Sequence, residues 1–166
     1  MKQFLKKFKK FRLTAIVEGC AGVVSVITSI LILVFYQTNL AIEKQVGRKG
    51  VETVFVNGFD GEPINGMIFF LAALLVIIFG IVAAYGSYPY IFKKDEKLEP
   101  NRALAWFGVT CGGFALVEFV FVLLMIMKAG SRHTIGLVIS GVFLILAAIV
   151  QLLMIIPTLM VKPEKE

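Results

Sequence analysis

The sequence predicts an all-α membrane protein. The expected form is a four-transmembrane-helix bundle with both termini on the cytoplasmic side and a short outer loop that holds a small hairpin. Three observations lead there. Hydrophobic residues make up 58% of the 166-residue chain and charged residues only 17%. Mean hydropathy is +0.89, beyond what a soluble domain with a polar surface reaches. Four apolar runs, Leu13–Tyr36, Gly66–Phe92, Ala103–Met127 and Thr134–Val161, each exceed the ~20 residues that cross a ~30 Å hydrocarbon core. This composition excludes a soluble globular enzyme, a disordered chain and a disulfide-stapled secreted domain.

Each run is expected to be a helix, because in lipid the backbone must pair its hydrogen bonds within the segment. The shorter segments of alternating polarity that mark a membrane β-barrel are not seen. Residues 13–161 therefore form one membrane domain, between a basic segment 1–12 and a tail 162–166. The basic start resembles a signal-peptide n-region. The run after it is too long for a signal h-region and no small-x-small site follows Tyr36, so it is read as a retained helix.

Orientation is read from positive charge. With the N-terminus inside, twelve of the 17 Lys and Arg residues lie on the inner side. They sit in residues 1–12, in the loop around Lys93, Lys94, Lys97 and Arg102, and at Lys162 and Lys165. Trp106, Tyr88 and Tyr90 are expected at the inner interface and Tyr36 at the outer one. The Lys- and Phe-rich composition inclines the location toward a bacterial cytoplasmic membrane.

Phe4, Phe8 and Phe11 recur at near-helical spacing among Lys6, Lys7, Lys9, Lys10 and Arg12. This pattern fits an interfacial helix on an anionic inner leaflet, or a plain topogenic signal. The basic run is too short for nucleic-acid binding.

The outer loop, residues 37–65, is the largest polar piece. Val51–Val56 reads as a strand, and Asn57-Gly58 and Asp60-Gly61 read as turns of a small hairpin. An outer loop of the claudin or tetraspanin kind would carry disulfides. This one has no Cys, and no family is assigned. The inner loop, 93–100, reads as a solvated turn, with Asn101 as N-cap of the third helix. The loop near Lys128–His133 is short and makes the last two helices antiparallel neighbours.

Glu118 is the sharpest candidate. Counting ~1.5 Å per residue, it lies ~15 Å from Lys128 and ~24 Å from Arg102, inside the hydrocarbon. It should face the bundle, either as a proton or cation site or as a neutral acid that holds helices together. Gln151, near the middle of the fourth run, is expected to hydrogen-bond it across helices. Glu18 is shallower and is expected to reach headgroup water. Small residues recur every three or four positions on the same faces. They include Gly22 and Ser25 in the first run, Gly108 and Gly112 in the third, and Gly136 and Ser140 in the fourth. Gly108-x-x-x-Gly112 is a close-packing motif. Pro89 and Pro157 mark inner ends where a helix can kink.

Cys20-Ala21-Gly22 and Cys111-Gly112-Gly113 align as a weak repeat, which would make the chain two similar hairpins and place the two Cys at similar depth. No nucleophile motif, phosphate-binding Gly loop or metal-ligand cluster is seen, and His133 stands alone. The chain is therefore expected to be no enzyme and to need no cofactor or metal. Its expected partners are the lipid bilayer with its anionic inner leaflet, and either copies of itself or other membrane subunits. Two functions follow. One is an accessory or scaffolding subunit of a membrane complex. The other is an oligomeric channel or transporter for protons, cations or a small solute that uses Glu118.

Overall fold

The computed structural model describes residues 11–38, 40–46, 50–56, 63–92, 102–127 and 134–160. The basic residues Lys6, Lys7, Lys9 and Lys10, the Arg12 side chain, the inner loop with Asn101, His133, the Pro157 side chain and the 162–166 tail lie outside the described residues. Four helices carry the fold: α1 (Phe11–Thr38), α2 (Pro63–Phe92), α3 (Arg102–Met127) and α4 (Thr134–Met160). All four are long and apolar enough to cross a bilayer. α2 continues through Pro89 to Phe92. Each helix packs on the next and α4 packs back on α1, while α1 and α3 also meet across the diagonal.

The packing follows a repeat of alternating three- and four-residue steps. In α1 the buried stripe is Ala15, Glu18, Gly22, Ser25, Ser29, Ile32 and Tyr36. In α2 it is Phe69, Ala73, Val76, Gly80, Ala83, Ser87 and Tyr90. In α3 it is Leu104, Gly108, Cys111, Ala115, Glu118, Val122 and Met125. In α4 it is Leu137, Ser140, Leu144, Ala147 and Gln151. A spacing averaging 3.5 residues keeps one seam facing its neighbours along the whole helix, as in a left-handed bundle. Outside this seam the described helix surface is mainly Ile, Leu, Val and Phe, with Ile27, Ile68, Leu71, Val120, Phe143 and Leu146 among its exposed residues. The bundle is thus apolar outside and partly polar inside, the arrangement that hydrocarbon surroundings demand.

Side-chain size is graded along the seam. Toward the start of α1 the facing residues are small. Gly22 and Gly80 lie against each other, and a Cβ on Gly22 would stand 2.7 Å from the Gly80 carbonyl oxygen. Toward the other end, Ile32, Tyr36, Phe69, Val122 and Leu137 fill one apolar cluster. Phe69 holds it together, with ring centroids 4.6 Å from Tyr36 and 5.7 Å from Phe121.

One expectation is corrected. A hairpin is present, but Val51–Val56 pairs with the chain before it. β1 (Leu40–Val46) runs antiparallel to β2 (Gly50–Val56), with Leu40 opposite Val56 and Val46 opposite Gly50. The reversal falls between Val46 and Gly50, so the Asn57-Gly58 and Asp60-Gly61 turns are not its turn. The aromatic residues near the helix ends divide between interior and surface. Tyr36 and Tyr90 are only 3% and 6% exposed and belong to the bundle interior, whereas Tyr88 and Trp106 point outward. Both buried Tyr fall on the heptad stripe.

The close Gly22–Gly80 approach generates a prediction. Gly22→Val is expected to destabilise the bundle by about 1–3 kcal/mol through overpacking. Gly113→Ala meets nothing within 4 Å and is expected to change stability by less than about 0.5 kcal/mol. Unfolding of the two variants in mixed micelles measures the difference.

Candidate functional site: a buried polar column

The polar residues of the seam form a column inside the bundle. Glu118 and Gln151 are each 0% exposed and Glu18 is 2% exposed. No buried Lys, Arg or His accompanies them among the described residues. Two other buried hydroxyls are satisfied within their own helix. Thr28 bonds the Val24 carbonyl at 2.8 Å and Ser87 bonds the Ala84 carbonyl at 2.7 Å. Ser25 and Ser29 are different, because they reach across to other helices.

The Ser29 hydroxyl lies 2.9 Å from Glu118 Oε2 and 3.0 Å from Oε1, and 3.3 Å from the Ala73 carbonyl oxygen. One side chain thereby ties α1 to α3 and to α2. One turn nearer the start of α1, the Ser25 hydroxyl donates a long 3.5 Å bond to Gln151 Oε1. The expected Glu118–Gln151 pair is not formed. The reason is depth. Gly112 receives α4 at Ala148, Gln151 and Leu152, so Gln151 stands level with Gly112, six residues or ~9 Å along α3 from Glu118. Ser25 and Ser29 meet the two polar groups separately.

Glu18 also departs from expectation. Its side chain turns into the bundle instead of reaching headgroup water. Gly108 makes the room, since a Cβ there would overlap the Glu18 carboxyl. Glu18 Oε1 and Gln151 Nε2 are buried without a hydrogen-bond partner among the described residues. The Cys111 thiol stands between the acids, 3.5 Å from the Val76 carbonyl and beside Ser25 and Gln151.

The glycines divide their work. Gly108 and Gly112, one turn apart, serve different helices: the first admits the Glu18 carboxyl and the second admits the backbone of α4. Gly136 receives the Phe35 ring edge, 2.7 Å from where its Cβ would stand. Ser140 is buried in the α4 stripe. The Cys20 and Cys111 equivalence fails, because Cys20 is exposed and Cys111 is buried. The repeat loses its main support with it. Among the described residues no three His, Cys, Asp or Glu come together as a metal site.

Magnitudes show what the column costs. Placing a carboxyl near the bilayer centre costs roughly 2.5–3.5 kcal/mol on insertion scales. An interhelical hydrogen bond in a membrane returns about 0.6 kcal/mol on average and ~1.7 at most. The Ser29 bond offsets part of the cost at Glu118, and Glu18 Oε1 has no such offset. The column is a net burden that the surrounding helix packing carries.

No family model matches this chain, and no curated protein or solved structure does either.

Two double-mutant cycles test the geometry. Gly108→Ala should destabilise the native bundle yet be tolerated beside Glu18→Ala, a coupling on the order of 0.5–3 kcal/mol. Ser29→Ala should cost about 1–3 kcal/mol by leaving Glu118 unpaired. Glu118→Gln and Gln151→Leu should combine additively within about 0.5 kcal/mol, and strong coupling between them would contradict the separate depths.

Proposed function

We propose that the chain is a small integral membrane protein that performs no catalysis and serves as an accessory or scaffolding subunit of a membrane complex. In this reading it resides in a bacterial cytoplasmic membrane with both termini inside, and its basic N-terminal segment meets an anionic inner leaflet. The observation that carries the reading is the closure of the protomer on itself. Glu118, Gln151 and Glu18 all face inward, and beyond Glu118 the interior is filled by Ile32, Phe69 and Val122. Surface chemistry is left to the outward apolar faces of four helices, which suit lipid and partner helices alike. A pore between protomers would be lined by those outward faces. It would not use Glu118, which weighs against the oligomeric-channel alternative.

The test is purification of the tagged chain in native lipid patches, with co-purifying chains identified by mass. A stoichiometric foreign subunit is expected. Liposomes holding the chain alone should show no cation conductance above lipid, and Glu118→Gln should leave that baseline unchanged. A homo-oligomer that conducts cations and loses conductance on Glu118→Gln would overturn the reading.

A further inference from the structure

The contacts of Ser29 need one more proton than Ser29 carries. Its oxygen has three acceptors within 3.3 Å, namely both Glu118 oxygens and the Ala73 carbonyl, but a hydroxyl donates once. A proton on Glu118 completes the set. The carboxyl then donates to Ser29 Oγ, and Ser29 donates to Ala73.

A second observation lies closer to the start of α1. Glu18 Oε1 and Gln151 Nε2 are fully buried, unpartnered, and set at adjacent turns of α3, against Gly108 and Gly112. One turn is four residues, or ~6 Å. The next step along the column, from Ser25 to Ser29, is again one turn. Two hydrogen bonds through one water span at most ~5.6 Å, so each such step needs more than one water or an intervening hydroxyl. The column is also one-sided. Past Glu118 it ends in Ile32, Phe69 and Val122, each fully buried. Before Glu18 the described residues form a smaller cluster of Ala15, Ala83, Tyr90 and Leu104.

We propose that Glu118 and Glu18 form a proton-binding site inside the bundle, which exchanges protons with the side where α1 begins and is sealed toward the hairpin side. The ligand is a proton from bulk water. It binds the Glu18 carboxylate, passes to Glu118, and returns by the same route, with no electron transfer. The groups that face the two acids are few. Among the described residues α3 presents the Cys111 thiol, α2 presents the Ala73 carbonyl, α1 presents Ser29 and α4 presents Gln151. No buried Lys, Arg or His among the described residues compensates either carboxylate. The site is a dead end and not a channel, so it is compatible with the accessory function and does not depend on it.

Infrared difference spectroscopy on the full chain in liposomes tests the proposal. The expected result is a protonated-carboxyl band that shifts on deuteration, disappears at alkaline pH and is missing from Glu118→Gln. In unmutated protein carrying ¹³C-glutamate the same band must move, which fixes its origin without any variant. In vesicles of uniform orientation, a pH step on the N-terminal side should titrate the band promptly and a step on the hairpin side should lag. Glu18→Gln should slow the prompt response severalfold. No protonated-carboxyl band in the unmutated protein would overturn the site. A band governed by sodium and not by pH would make it a cation site and overturn the proton assignment. Equal response from both sides, or an unchanged rate in Glu18→Gln, would overturn the one-sided route.

Discussion

A carboxyl group held inside an apolar-faced bundle is the constraint on which the rest of this structure depends. Glu118 is fully buried and no Lys, Arg or His is buried with it among the described residues, so its position is tolerable where another helix brings a hydroxyl to it. Ser29 does so, and by also touching the Ala73 carbonyl it sets three helices in one register. A slip of one three- or four-residue step along α1 would offer Glu118 either Ser25 or Ile32. Ser25 is occupied by Gln151, and Ile32 has nothing to donate. Register is therefore specified by a polar contact whose net energy is small but whose loss is large.

The size gradient follows from the same requirement. Polar side chains can meet across helices only if the backbones come close. Gly22, Gly80, Gly108 and Gly112 permit that approach over the part of the bundle where the column runs. Where the column ends, Phe69, Tyr36 and Ile32 take over, and packing becomes that of an ordinary apolar core. Stability thus comes mainly from one end of the seam and from the glycine contacts, while the acids draw on it.

Much of this was legible in the sequence. Run length alone gave the four helices, because ~1.5 Å per residue against a fixed bilayer thickness leaves little freedom. The buried faces were visible wherever the residues on them are small or polar, as at Gly22, Ser25, Gly108 and Glu118. They were invisible where the same stripe carries Ile32, Phe69 or Tyr90, because in a chain this apolar such residues look alike on the lipid side and the core side. Extending the three-four rhythm outward from Glu18 and Glu118 would have reached Tyr36 and Leu104. Pairings were less legible than faces. Gln151 and Glu118 were matched by polarity, but relative depth depends on how α4 docks at Gly112, and no local signal encodes that. The strand at Val51–Val56 was evident from its β-branched residues, whereas its partner required choosing among several glycine-bearing turns.

The asymmetry of the interior bears on why the acids are there. A polar contact placed only to define register would do best fully paired, and Glu118 with Ser29 meets that standard. Glu18 does not. Its carboxyl occupies a notch that exists because residue 108 lacks a side chain, and it leaves one oxygen unsatisfied, one turn of α3 from the level of an unsatisfied amide on Gln151. Leucine at position 18 would fill the same space without the desolvation cost, so packing alone does not account for the acid. The incomplete pairing lies at the end of the column with the smaller closing cluster, and the complete pairing lies at the sealed end. That order is what a group exchanging with one side of the membrane requires: a loosely held acid near the entrance and a tightly held one at the terminus.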